Sequence, residues 1–272
     1  MHTLLALTLM HDRYLKGQRS LPQPRREALH QYKSIAFFNA RLRQTNKPNS
    51  SESAAIWVTA ILISTIAFGL IEATTPEEAW PLRSASSSDL SWLLIGKGKD
   101  QMSMLTETLR TDSQYQNLFP PQAARTMPKS STQAELSTLP KALIKLCDLD
   151  TTPNNNNPYH AAAATLARAI NTDYISILLN FFCFIGNIPQ AHKSLLLQKD
   201  PRALLLLALW YAKLSKPEIW WLQPRTTLEG HAICIYLRRY YSEDKVLQDA
   251  MTMIWQDVCV WLALAANEEP LS

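Results

Sequence analysis

Residues 54–71, AAIWVTAILISTIAFGLI, run for 18 positions without a charge and decide the fold. That length is the shortest at which a transmembrane helix becomes a candidate. Against a membrane span, Thr59, Ser64 and Thr65 interrupt the apolar surface, and Glu72 ends it. No flanking cluster of positive charge marks a cytoplasmic side. A helix that is apolar on every side is also typical of the centre of a large helical domain. We therefore predict a core helix and no membrane span, with a membrane helix as the alternative.

The composition around this stretch also favours helices. Only 6 of the 272 residues are glycine, whereas 16 are proline. That glycine share is roughly a third of the usual ~7%, which excludes glycine-rich nucleotide-binding loops and disfavours a β-sandwich with many tight turns. The chain contains no hairpin signal and no convincing alternating run. The sequence thus predicts an all-α fold, a single domain of packed antiparallel helices around an apolar pocket.

Caps and periodicity locate the predicted helices. Thr75–Glu78 is typical of a capping box, while Asn157-Pro158 and Asp200-Pro201 each place a capping side chain before a proline. Residues 112–137 are polar and contain proline, which predicts a mobile loop. Within a predicted helix over residues 27–44, the apolar residues that recur at helical spacing are Leu29, Tyr32, Ala36, Phe37 and Ala40.

Charge and cysteine spacing limit the possible partners. Residues 1–47 carry nine Lys or Arg and two acidic residues, a net charge of +7 on a chain whose total is +4. We interpret these charges as solvated helix surfaces, with nucleic acid or an acidic partner as the alternative. The cysteines are too far apart for a zinc or redox motif, and three lie in apolar runs, which predicts reduced thiols in an intracellular compartment. They are Cys147, Cys183, Cys234 and Cys259.

The sequence predicts no catalytic residue, no cofactor and no metal site. Its six histidines are scattered, without the spacing of metal ligands or of a hydrolase motif. Asp148 and Asp150 follow a predicted helix, but two acids at that spacing are a weak signal for a divalent ion. The eight tryptophans are more informative, because with Phe181, Phe182, Phe184 and Tyr211 they either line an apolar cavity or fill the core.

Eight segments, in this order, resemble the carboxy-terminal regulatory domain of fungal Zn2Cys6 binuclear zinc-cluster transcription factors of the sterol uptake control protein type. They are HTLLALTLMHDRYL (2–15), EALHQYKSIAFFNARL (27–42), AAIWVTAILISTIAFGLIEATTPEEAWPL (54–82), DLSWLLIGKGKDQM (89–102), NNPYHAAAATLARAI (156–170), KDPRALLLLALWYAKL (199–214), WW (220–221) and EGHAICIYLRRYY (229–241).

The resemblance implies an all-helical, often dimeric regulatory domain over residues 1–245, found in the nucleus and cytoplasm. In that family a sterol in an apolar pocket controls nuclear entry and activation, and relatives regulate secondary metabolism. We therefore expect a sterol or related terpenoid as ligand, and a homodimer or a heterodimer with a related factor. The residues predicted to line the pocket are Phe68, Phe181, Phe182, Trp210, Tyr211 and Trp221.

Two features depart from the family. The six closely spaced cysteines of the zinc cluster, C-x2-C-x6-C, are missing, so we expect no specific DNA binding by this chain alone. Compared with the family, the domain is expected to be truncated at its amino terminus, either in the gene model or in the real protein. Residues 246–272 are predicted to form an extra helix that diverges from the family, with apolar residues three to four positions apart.

Three functions follow from the sequence. The first is the ligand-responsive domain of a transcription regulator. The second is a stand-alone modulator that lacks the DNA-binding module and dimerises with a full-length factor. The third is a helical-cavity enzyme such as a terpenoid or polyketide cyclase, whose candidate acids are Asp148, Asp150 and Glu72.

Overall fold

The computed structural model describes the chain over ten ranges. They are residues 1–18, 21–44, 46, 48–86, 88–93, 133–150, 156–170, 184–185, 188–216 and 218–252. Within these ranges the regular structure is helical and contains no strand, which confirms the all-α prediction. The helices group into two compact units, although residues 1–245 were predicted to be one domain.

The first unit contains three mutually packed helices, α1 (His2–Leu15), α2 (Arg25–Leu42) and α3 (Ser50–Gly69). Gly17 ends α1 with a φ of 65°, and its N–H donates to the carbonyl of Tyr14 at 3.0 Å. A residue without Cβ enters this left-handed conformation at low cost, which explains the turn.

Asn49 and Glu52 start α3 with a reciprocal capping box. The Asn49 side chain accepts the N–H of Glu52 at 2.9 Å, and the Glu52 carboxylate accepts the N–H of Asn49 at 3.1 Å. Each bond satisfies a backbone donor that the helix itself leaves unpaired. The helix therefore begins four residues before the uncharged stretch at 54–71.

Burial along α3 is uneven. Ile66 is 2% exposed and Phe68 is fully buried, but Val58 is 44% exposed. The buried side includes Ser64 and Thr65, whose hydroxyls donate to carbonyls one turn earlier in the same helix. Of the helices in the described ranges, only α3 is long and apolar enough to cross a membrane, with 39% of its most apolar window buried. The choice of a core helix over a membrane span stays a prediction.

The second unit contains a short 3-10 helix at Pro76–Glu78 and six α-helices in the described ranges. Its helices are α4 (Gln133–Leu136), α5 (Lys141–Leu146), α6 (His160–Ile170), α7 (Gln190–Leu197), α8 (Pro201–Ser215) and α9 (Gln223–Tyr240). Twelve of the 15 residues of α8 are buried, against α6, α7 and α9. Burial on nearly every side makes α8 the central helix of this unit.

The predicted helix starts have different outcomes. Asp200 caps α8 through the N–H groups of Arg202 and Ala203, with Pro201 in the first turn, which confirms that prediction. The capping box at Thr75 is wrong, because Thr75 makes no side-chain cap. Glu78 accepts instead from the N–H and hydroxyl of Thr74, at 2.9 and 2.8 Å.

Other predictions fall at the edges of the described ranges. Asn157 accepts the N–H of Tyr159 at 2.9 Å, but α6 begins only at His160. Residues 133–136 of the predicted mobile loop form α4, and 112–132 lie outside the described residues. Residues 245–252 are helical at the start of the predicted extra helix, while 253–272 lie outside them.

Candidate functional site

An open groove of about 470 Å³ runs between the helices of the first unit. Its volume falls within the range of roughly 300–1,000 Å³ typical of small-molecule sites. The lining residues, contributed by α1, α2, α3 and Met1, are Met1, His2, Thr3, Ser34, Phe37, Phe38, Arg41, Glu52, Ala55, Ile56 and Thr59.

One wall of the groove is aromatic. The ring of His2 stacks parallel to the ring of Phe37, with centroids 5.7 Å apart. The centroid of the His30 ring lies 5.0 Å from that of His2. Phe37 and Ala55 are exposed to solvent, whereas Ile56 is buried. An apolar molecule lying here would cover side chains that solvent now contacts.

His2 and His30 form a hydrogen-bonded pair beside that wall. Their Nδ1 atoms lie 2.8 Å apart, so one ring donates a hydrogen bond and the other accepts it. Partial desolvation, together with the charges of His30 and Lys33, lowers the pKa of His2. The pair therefore places a hydrogen-bond donor and an acceptor at the edge of the groove.

An ion pair and a buried hydroxyl pair supply the other polar groups. Arg41 on α2 donates to the carboxylate of Glu52 at 3.1 Å, and both side chains remain partly exposed. Thr3 and Ser34, both buried, join their hydroxyls at 2.5 Å. The groove thus combines apolar walls with a few converging polar groups, the usual make-up of a site that orients a ligand.

The pocket residues predicted from the sequence lie elsewhere. Phe68 is fully buried in the first unit, whereas Trp210, Tyr211 and Trp221 are buried in the second. Phe181 and Phe182 lie outside the described residues. The role of these six residues as pocket lining stays a prediction.

Other aromatic rings surround Trp210. Its ring lies 4.0 Å from Phe184 and 5.8 Å from Trp92, and is nearly parallel to both. Tyr211 lies at 5.7 Å from Trp210 and is tilted against it. These stacked and tilted aromatic rings fill the core around Trp210.

A buried ionic network lies next to this cluster and was missed by sequence reasoning. The hydroxyl of Tyr211 donates to Glu229 at 2.5 Å, and the guanidinium of Arg225 donates to the other carboxylate oxygen. Burial raises the pKa of Glu229, and the positive charge of Arg225 opposes that rise. The four-residue spacing of Arg225 and Glu229 on a helix was the one signal available. It says nothing of burial, because exposed pairs have the same spacing.

Two other buried titratable groups, Cys147 and His192, are held in their neutral forms. Burial raises the pKa of Cys147 to about 12 and lowers that of His192 to about 4. A thiol that stays protonated is a poor nucleophile. His192 Nδ1 lies 3.1 Å from the carbonyl of Pro158, so the ring serves to join α7 to the start of α6.

The acids proposed for the enzyme alternative are at the surface. Asp148 pairs with Arg202 at 3.1 Å, and Asp150 and Glu72 are exposed. Over the part of the chain that the structure describes, no three His, Cys, Asp or Glu side chains are grouped so as to hold a metal ion.

No family model, curated protein or solved structure matches the chain. The likeness to zinc-cluster transcription factors therefore stays a prediction from the eight sequence segments. The groove of the first unit combines apolar walls with converging polar groups and is the candidate binding site.

Proposed function

We propose that the chain is a ligand-sensing regulatory domain whose first unit binds an apolar small molecule bearing one polar group. The observation that carries this proposal is the groove of about 470 Å³ between α1, α2 and α3. Its apolar walls provide affinity and its polar groups provide orientation.

The apolar body of the ligand lies against Phe37, Phe38 and Ile56. Removing such surface from water contributes roughly 25 cal/mol per Å² before the costs of association are subtracted. The polar group of the ligand, a hydroxyl in the case of a sterol, lies near His2 and Arg41. His2 can accept or donate a hydrogen bond there, and Arg41 can donate one.

Binding is favoured over catalysis by the state of the buried polar groups. Cys147 and His192 are held neutral by burial, and both carboxylate oxygens of Glu229 accept hydrogen bonds inside the protein. General acid–base catalysis requires a group whose pKa is near the working pH and which reaches the substrate. A cyclase function draws no support from these groups.

The resemblance to sterol-responsive regulators supplies the class of ligand and the biological role. A sterol or related terpenoid would bind, and the bound domain would regulate transcription by RNA polymerase II through a nuclear and cytoplasmic protein. The chain would act as the regulatory domain of a zinc-cluster factor, or alternatively as a modulator that dimerises with a full-length factor.

Binding of radiolabelled ergosterol to the purified chain, measured by equilibrium dialysis, tests the proposal. Ala55→Trp places an indole in the groove at an exposed position and should weaken binding at least tenfold. Val58→Trp is the matched control, because it adds the same side chain to α3 away from the groove lining. No saturable binding below tens of micromolar would reject the sterol ligand. Equal binding by the two variants would reject this groove as its site.

A further inference from the structure

The apolar stripe of α2 faces away from its packing partners. Leu29 is 49% exposed and Tyr32 is 71% exposed, and Ala36 and Ala40 are exposed as well. These four residues, spaced three and four apart, are the α2 stripe. Phe37 leaves the stripe and turns towards His2 in the groove.

The opposite, buried side of α2 is polar. Glu27 accepts two hydrogen bonds from the guanidinium of Arg13, each 3.1 Å long, and Ser34 bonds to Thr3. A helix normally buries its apolar stripe and exposes its polar residues. In α2, polar contacts attach the helix to α1 and leave the α2 stripe exposed to solvent. An exposed apolar stripe of this kind is typical of a surface that binds a partner.

The charge around the α2 stripe has one sign. Arg25, Arg26, Lys33 and Arg43 are exposed, and none forms an ion pair with another described residue. The single acid on α2 is Glu27, which is buried beneath Arg13. A complementary partner must therefore be acidic.

We propose that the α2 stripe docks an acidic amphipathic helix of another protein. Leu29 and Tyr32 provide large anchors at one end, while Ala36 and Ala40 allow a second helix to approach closely at the other. When two helices pack, the side-chain ridges of one lie between the side-chain ridges of the other.

The edge of the stripe specifies where the partner's charges lie. Arg26 and Lys33 are seven residues apart and so occupy the same edge of α2, one turn from Leu29 and Ala36. Acidic residues on the partner helix meet these two cations, as charges beside an apolar seam do in coiled coils. A second copy of the chain would bring basic edges together, and a lipid surface would gain little area from two alanines.

Selection from a displayed library of 21-residue helices tests the proposal on the purified full chain. The library fixes leucines at three- and four-residue spacing and randomises the flanking positions among Glu, Lys and Gln. We expect Glu to be enriched at least tenfold over Lys. No preference for Glu would overturn the proposal.

Variants then locate the binding site of the best selected peptide. The double variant Leu29→Asp/Tyr32→Asp should weaken its binding more than tenfold. Arg26→Glu/Lys33→Glu should do the same and should favour a peptide whose Glu residues are replaced by Lys. Leu15→Asp, an exposed leucine on α1, is the control and should bind normally. Unchanged binding by both double variants, with helicity preserved in circular dichroism, would contradict the site.

Two other partners for the α2 stripe, a lipid surface and a second copy of the chain, are tested separately. Vesicles of phosphatidylcholine and phosphatidylserine at 7:3 should sediment the wild type no more than the Leu29→Asp/Tyr32→Asp variant. Sedimentation velocity should not show a dimer that the Leu29→Asp/Tyr32→Asp variant abolishes. Either result would overturn docking of an acidic helix in favour of a lipid surface or of self-association.

Discussion

The hydroxyl of Tyr211 on α8 donates a 2.5 Å hydrogen bond to the carboxylate of Glu229 on α9. Arg225, one turn before Glu229, donates to the other oxygen. All three groups are buried, so the carboxylate exchanges its water for a phenol and a guanidinium. The bond joins the central helix of the second unit to its largest neighbour and sets one register between them.

Removing this carboxylate should destabilise the protein strongly. Glu229→Ala deletes the buried partner of Arg225, a change that costs about 3–5 kcal/mol in comparable pairs. Tyr211→Phe deletes one neutral donor and should cost about 1–3 kcal/mol. Urea unfolding measures both free energies. Glu243→Ala, an exposed acid beyond α9, is the control, and a loss of under 1 kcal/mol for Glu229→Ala would contradict the network.

The cap of α3 should be measurable by itself. Asn49→Ala removes the acceptor for the N–H of Glu52 and should destabilise the helix start by about 1 kcal/mol. Hydrogen exchange followed by mass spectrometry should then show faster exchange in the first turn of α3. Ser51→Ala, in the same turn and exposed, should leave exchange unchanged. Equal exchange in the two variants would mean that the cap contributes nothing.

A lysine should be tolerated differently at two apolar positions of α3. Ile66 is 2% exposed, so Ile66→Lys places an unpaired charge in the interior, at a cost of several kcal/mol against a total stability of roughly 5–15. Leu62 is partly exposed, and Leu62→Lys should cost much less because the long side chain reaches water.

Soluble yield and urea midpoints of the two lysine variants give the comparison. An equal loss of stability in the two lysine variants would show that the two faces of α3 are buried alike. Wild-type protein that resists alkaline carbonate extraction and needs detergent would assign α3 to the membrane.

Stability should fall on acidification because of His192. Burial lowers its pKa from 6.5 to about 4, against the opposing effects of the Pro158 carbonyl and Asp200. Between these pH values the unfolded chain takes up the proton and the folded chain does not, so the free energy of unfolding decreases as pH falls. A shift of this size corresponds to about 3 kcal/mol, which is lost progressively below pH 6.5 and completely only below pH 4.

Urea unfolding at pH 7, 5.5 and 4.5 should show this decrease in the wild type. His192→Gln should reduce the slope of this dependence over that window, whatever its stability at pH 7. His11→Gln, which removes a histidine from α1, should retain the wild-type slope. Parallel curves for the wild type and His192→Gln would exclude His192 as the source.

The candidate site was only partly predictable. Apolar aromatic side chains were expected to form a ligand pocket, and Trp210 and Tyr211 were named for it. The groove in the first unit instead gathers His2, Arg41 and Glu52, which carry no shared motif. Their meeting depends on how α1, α2 and α3 pack, and spacing along one helix contains no information on that packing.

The sequence by itself determined the helical class and some of the helix starts. Scarce glycine and recurring caps are local signals, and a cap such as Asp200 acts on N–H groups two and three residues away. Such interactions are complete within one turn, so they can be read without knowing the rest of the molecule.

Only the tertiary structure decided which surfaces are buried. Only 39% of the most apolar window of α3 is buried, while α8, which carries Arg202 and Lys213, is central. The stripe of α2 faces solvent, and Glu229 is buried. Burial depends on partners distant in the chain, such as the Arg13 that draws Glu27 inward. A polar pair with complete hydrogen bonds can take an interior position that apolar periodicity assigns to leucine and tyrosine.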